Sequence, residues 1–382
     1  EDGIRDRSPS RGLGDVYKRQ PLLLLTLVLS VGVACSTESA SEPITASTPT
    51  AGPTAIATTM NVLPRATATI TPPVSAVATV VPSVSRLETY EVRKTTHVYG
   101  RGFSSPSWDS SSKKPMDLLI DVYEPVGAPI GRPLFVFIHG GGFFGGTREG
   151  GPGAWFSKYF AARGFVAASI DYRLAKHYGT IPVNWSELVT RRTPEGRKTD
   201  QRLAMYPAAR DTKAALRWLV AEQNRFGINL EFVTVAGGSA GAFLAVMAGV
   251  SNDGDFLNEL DVLSDPTLRS TNLDKTIEVD TVLEFMGGAA HLEMLELIDG
   301  ENRFEADVPA LMIVHGTEDS TVPYTSAEAL VAYYEAAGAE YVFHPIVGGG
   351  HSVWNKKIDG KSLVELGFDY VLETQNLDFP IN

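Results

Sequence analysis

Cysteine is almost missing from this chain. Cys35 is the only one in 382 residues, so no intramolecular disulfide can form. Positive charge is also scarce: 33 Lys and Arg stand against 45 Asp and Glu, a net -12. Binding a phosphate backbone needs a basic face, so this balance argues against nucleic acid as a partner. No Cys/His cluster or carboxylate pair has the spacing of metal ligands, and no metal or other cofactor is expected. No internal repeat points to a solenoid. An uncharged apolar stretch, PLLLLTLVLSVGVA at 21–34, is too short for a comfortable transmembrane helix and has the length of a signal-peptide core.

What precedes and follows that stretch divides the N-terminal part. Small residues, GVA, lead directly into Cys35. This resembles a bacterial lipoprotein signal, which implies that Cys35 is lipidated and becomes the mature N-terminus; an ordinary secretory signal with an incidental cysteine is the alternative. Either implies an extracytoplasmic protein, touching membrane only through an N-terminal lipid or secreted outright. Residues 1–20 are neither short nor led by Met, and DVYKRQ resembles the translation of a transposon end used in sequencing libraries. They are read as adapter-derived and set aside. Residues 36–87 are rich in Ser, Thr, Ala and Pro, with few charges and little large apolar surface. The expectation is an extended tether with a span of about 40 Å as a random coil.

From residue 88 to 382 the texture is globular. TYEVRKTTHVYG and PMDLLIDVYEP read as strands around a polar loop, and RPLFVFIHG as a buried strand. Helical patterns then alternate with FVAASIDYRL, EFVTVAG, VDTVLEFMGG, VPALMIVHG and AEYVFHPIVG. YPAARDTKAALRWLVAEQNRFG reads as one long amphipathic helix ended by Gly227. Alternation of this kind predicts an α/β fold, a mostly parallel sheet with helices on both faces. Working residues in such sheets collect at the carboxyl ends of the strands.

Four stretches fall at those ends. GGSAG sets Ser239 between a strand and a helix, flanked by Gly237 and Gly241, where a sharp elbow tolerates no side chain. The helix N-terminus behind it presents the Ala240 N–H. HGGGFFGG, from His139, offers consecutive glycines whose N–H groups can turn toward a developing oxyanion; it lacks the Lys and helix start of a phosphate loop. His139 itself suits a loop-stabilising hydrogen bond better than a base. HGTEDSTVP puts Asp319 where an acid can orient a histidine, in preference to Glu318; alone, such an Asp is more often a cap or turn residue. GGGHSVW places His351 on a glycine loop after a strand, whereas His344 lies within a strand and His97, His177 and His291 lie outside any such frame.

The order Ser, Asp, His, with the glycine loop upstream, resembles the α/β-hydrolase fold over roughly residues 90–375. Within it, the chain is similar to the HGGG carboxylesterases, hormone-sensitive-lipase-like enzymes and small bacterial feruloyl and acetyl esterases. SIDYRL, YPAARDTKAALRWL and GINLEFVTVAGGSAGA add to the likeness. The resemblance implies ester hydrolysis through an acyl-enzyme, with Ser239, Asp319 and His351 as triad and Gly141, Gly142 and Ala240 as oxyanion hole. The implied substrate is a small or polysaccharide-linked ester. The chain departs from the pattern in having no N-terminal helical cap. It also carries a long insertion, DYRLAKHYGTIPVNWSELVTRRTPEGRKTDQRLAMYPAARD, expected to wall the substrate pocket. Alternative readings are a prolyl-oligopeptidase-like serine peptidase and a non-catalytic surface-anchored binding protein.

Overall fold

The computed structural model describes residues 90–193 and 196–378. The adapter-like stretch, the signal segment with Cys35 and the tether lie outside the described residues. The described part is built on an eight-stranded sheet. Strands β1 (Val92–Ser104) and β2 (Lys114–Pro125) form an antiparallel hairpin. β2 pairs antiparallel with β4 (Val166–Ile170). From there β3 (Arg132–Ile138), β5 (Ile228–Gly238), β6 (Thr281–Phe285), β7 (Ala310–Gly316) and β8 (Tyr341–Ile346) continue in parallel, giving the order β1-β2-β4-β3-β5-β6-β7-β8. This is the mostly parallel α/β-hydrolase sheet.

Alternation along β3 separates two cores. Leu134, Val136 and Ile138 face one side, Phe135 and Phe137 the other, and all are buried. Helices α3 (Arg197–Ala221), α5 (Ala240–Val250), α6 (Ala290–Asp299) and α7 (Thr325–Ala337) contribute to the first core. Helices α1 (Gly151–Ala161) and α8 (Leu363–Thr374) close the second. There Phe160 stacks on Phe135 at 3.8 Å and meets Phe165 and Phe368 edge-on. Truncating such a buried aromatic costs about 3–5 kcal/mol.

The helices differ from the sequence reading, and the stretch read as one helix up to Gly227 breaks at Glu222. Pro207 reads as the first turn of a helix, yet α3 starts ten residues earlier and carries Pro207 inside it. A proline deletes one rung and crowds the preceding turn. Here Leu203, Ala204, Met205 and Tyr206 are all buried, and their packing outweighs the lost rung. The insertion holds a further helix, α2 (Val183–Arg192), which packs through Trp185, Leu188 and Val189. Its mixed sequence, VNWSELVTRR, is helical through that buried stripe rather than through propensity. A short α4 (Gln223–Phe226) leads from α3 to β5.

Candidate active site

β5 runs straight into α5, with Ser239 at the corner. Its backbone sits at φ 54 and ψ -123, a region costly for any residue with a side chain. The neighbours hold it there. The Ser239 N–H donates to the Phe285 carbonyl at 2.8 Å. A Cβ on Gly237 would run into the Gly241 carbonyl, and one on Gly241 into that of Ile138. Glycine is required at both flanks because backbone passes against backbone.

His351 reaches Ser239 from the loop after β8. Its Nε2 lies 2.9 Å from Ser239 Oγ and its Nδ1 lies 2.7 Å from Asp319 Oδ2. Asp319 follows β7 and is buried; its other oxygen accepts from the N–H groups of Thr321 (2.8 Å) and Val322 (3.0 Å). Glu318, one residue earlier, is exposed. The two loops are strapped together: Glu318 N–H donates to Gly349 O at 2.8 Å, Thr317 N–H to Ile346 O at 3.0 Å, and Gly348 N–H to Thr317 Oγ1 at 2.9 Å. His315, which the sequence reading passes over, backs the acid. Its Nε2 lies 3.0 Å from Val322 O and 3.3 Å from Asp319 Oδ2, so Nε2 carries the proton and donates. Burial lowers its pKa and keeps the ring neutral.

The glycine loop is held by its carbonyls. His139 O accepts from Tyr172 Oη at 2.8 Å, and Gly140 O from His139 Nδ1 at 2.8 Å. Gly141 O accepts from the N–H groups of Phe144 and Gly145. Gly142 O accepts from Gln201 Nε2 at 3.1 Å, and Phe143 O from the Ala175 N–H at 2.8 Å. Every carbonyl from 139 to 143 is thus occupied, while the N–H groups of Gly141 and Gly142 meet no acceptor among the described residues. Gly141, Gly142 and Phe143 all have positive φ, 119, 61 and 63. His139 is buried, stacks on Tyr172 at 4.3 Å and is held neutral by burial; it serves the loop and does not reach Ser239. Ala240 N–H opens α5, with no helical acceptor of its own.

Behind the elbow lies a group without a sequence signal. Glu284, in β6, is fully buried. One carboxyl oxygen accepts from the Gly287 N–H; the other has no partner among the described residues. Burial pushes its pKa up to about 8, opposed by the Gly287 bond and reinforced by the charge of Asp319. Glu284 is therefore a neutral acid at pH 7, adding no second negative charge beside Asp319.

A serine on a strained elbow, hydrogen-bonded to a histidine that is itself held by a buried carboxylate, can deliver an activated oxygen. The free N–H groups of the glycine loop can receive negative charge that develops opposite it.

The BD-FAE family model matches residues 120–184 and 197–304 of the chain. Esterase LipC of Mycobacterium tuberculosis is 26% identical over 252 residues, 61% of this chain and 56% of that protein. Esterase LipQ of the same organism is 25% identical over 165 residues, 38% of each. The chain thus spans about half the length, or less, of these relatives. Among solved structures, a truncated carbohydrate esterase from gut microbiota has a TM-score of 0.51 at 20% identity, with 76% of this chain and 98% of that one covered. These similarities agree with the sheet order, and the chain is an α/β-hydrolase-fold protein related to bacterial esterases.

Proposed function

We propose that the chain is a serine carboxylic ester hydrolase working through an acyl-enzyme. The observation that carries this reading is the continuous hydrogen-bonded line Asp319–His351–Ser239 facing a glycine loop with free N–H groups. His351 Nε2 takes the Ser239 proton as Oγ attacks the ester carbonyl. Asp319 holds Nδ1–H and stabilises the imidazolium. The N–H groups of Gly141, Gly142 and Ala240 donate to the oxyanion. As the tetrahedral intermediate collapses, His351 gives its proton to the leaving alcohol and Ser239 keeps the acyl group. Water, deprotonated by His351, then attacks the acyl carbonyl, and the proton returns to Ser239 as the acid leaves.

Within this reading the substrate is a small or polysaccharide-linked ester met outside the cytoplasm, the chain being displayed through lipidated Cys35. The esterase relatives support the bond type, and the carbohydrate esterase of similar fold makes sugar-linked esters the first panel to test. Turnover of p-nitrophenyl butyrate by the full chain, beside Ser239→Ala, tests the chemistry. We expect a fall on the order of 10³-fold or more in kcat with the fold intact; equal rates would overturn the assignment. Mass spectrometry of the membrane fraction from expressing bacteria tests the anchor. A chain starting at a diacylated Cys35 is expected, and an unmodified cysteine would sink it.

A further inference from the structure

One face of α3 carries Arg210, Lys213 and Arg217, three cations at helical spacing. In a chain of net charge -12 such a row would ordinarily be matched by carboxylates. The charges of Asp255, Asp253 and Glu259 bear on Lys213. Arg210 and Arg217 are buried, at 3% and 4% exposure, and neither forms an ion pair with a carboxylate among the described residues. Arg210 donates to Tyr206 Oη and Leu257 O, both at 3.3 Å. Lys213 Nζ donates to Asn252 O at 2.6 Å and Ser251 Oγ at 3.2 Å, which caps the C-terminal end of α5. That leaves Arg217. Its Nε donates to Thr271 O at 2.9 Å, and its two Nη groups meet no acceptor among the described residues.

Arg217 lines a partly enclosed cavity of about 30 Å³ together with Lys213, Ser251, Lys275, Thr276 and Asp253. Lys275 is met by Asp274 at 2.9 Å and Asp253 is exposed. The other nearby carboxylates are engaged elsewhere: Asp255 with Arg303 at 2.7 Å, and Glu259 with Tyr206 Oη and the Phe256 N–H. Burial pushes Arg217 down to about 10, and the charge that bears on it is that of Arg210, a second cation. Lys213 falls to about 8 through burial and the charge of Arg217, opposed by the charges of Asp255, Asp253 and Glu259. A guanidinium keeps its proton at neutral pH, so an anion set against the Nη groups would offset the cost of burying the charge.

We infer that this cavity is a binding site for a small oxyanion, inorganic phosphate or a phosphate or sulfate group. Arg217 supplies a forked pair of N–H donors, Lys213 and Lys275 supply charge, and Ser251 supplies a hydroxyl. The site lies at the far end of α5 from Ser239, about 16 Å along an 11-residue helix. It is therefore separate from the chemistry, and the inference does not rest on the proposed esterase activity.

The test is thermal unfolding of the full chain titrated with inorganic phosphate, against chloride at matched ionic strength, with ³¹P line broadening as a direct readout. Phosphate should raise Tm in a saturable manner and chloride should not. Arg217→Met should abolish the phosphate increment. If that variant does not fold, Lys275→Glu, at the half-exposed rim, decides: it should weaken phosphate on the order of tenfold and leave ester turnover unchanged. Equal shifts with both anions, or a phosphate increment that survives the foldable variants, would overturn the inference. So would phosphate acting only as a competitor of ester substrate, since that places it at the oxyanion hole.

Discussion

Glu284 shows how a buried residue can be felt without touching substrate. Its carboxyl is an acid at neutral pH because burial raises its pKa from 4.5 to about 8. Between those values the folded protein holds a proton that the unfolded chain has released. The stability this contributes is complete below about 4.5 and is lost as pH rises through about 8. Glu284→Gln removes the effect. The stability of wild type relative to the variant should fall by more than about 1.4 kcal/mol between pH 5 and pH 8.5. Urea unfolding at the two pH values measures it, and a constant difference would show that Glu284 is not protonated in the fold. Glu284 and His315 were invisible in the sequence for the same reason. Each sits inside a strand, and only the packing of β6 against β7 brings them to the acid loop. Ser239, Asp319 and His351 were legible because each follows a strand and comes with glycines or a turn that let the backbone bend.

At the scale of elements, the long insertion is fastened to the glycine loop. From it, Ala175 N–H and Gln201 Nε2 grip two consecutive carbonyls of the glycine loop. The same end of α3 is tied to the β1–β2 loop, since Trp108 Nε1 donates to Asp200 Oδ1 at 2.8 Å. Holding these carbonyls restrains the N–H groups of Gly141 and Gly142, so on the proposed mechanism Gln201 positions the oxyanion hole across 59 residues of sequence. Gln201→Ala should lower kcat roughly tenfold with little change in KM, because the oxyanion exists only on the reaction path. Gln201→Glu, which has no N–H to give, should match it. Initial-rate kinetics on p-nitrophenyl butyrate separate this from a binding defect, which would move KM instead. No sequence pattern marks Gln201: the helix is read only from Tyr206, which leaves this amide within the insertion. Pro207 misled in the opposite sense, a strong local signal overridden by buried neighbours.

For the molecule as a whole, the alternation of strands and helices carried the architecture, and the sheet order follows it. What the alternation does not carry is how the antiparallel hairpin is fastened to the rest. Arg173, just after β4, does this. Buried at 3%, it makes a forked pair of bonds to Asp211 of α3 and donates to Phe103 O of β1. A Cβ on Gly102 would lie 2.6 Å from its guanidinium, so β1 needs glycine there to pass. Arg173→Met leaves Asp211 buried and unpaired and should cost about 3–5 kcal/mol. Adding Asp211→Leu should return much of it, which denaturant midpoints of the three proteins would show; an additive double variant would deny the coupling.

The histidine that completes the site hangs from β8, the edge strand laid down last in chain order, 112 residues after the serine it serves. On the proposed mechanism, the nucleophile, its elbow and the glycine loop leave the ribosome during synthesis well before their base does. A chain stalled short of β8 therefore carries an inert serine, however well its first seven strands have assembled. Reactivity arrives only with the last crossover of the sheet.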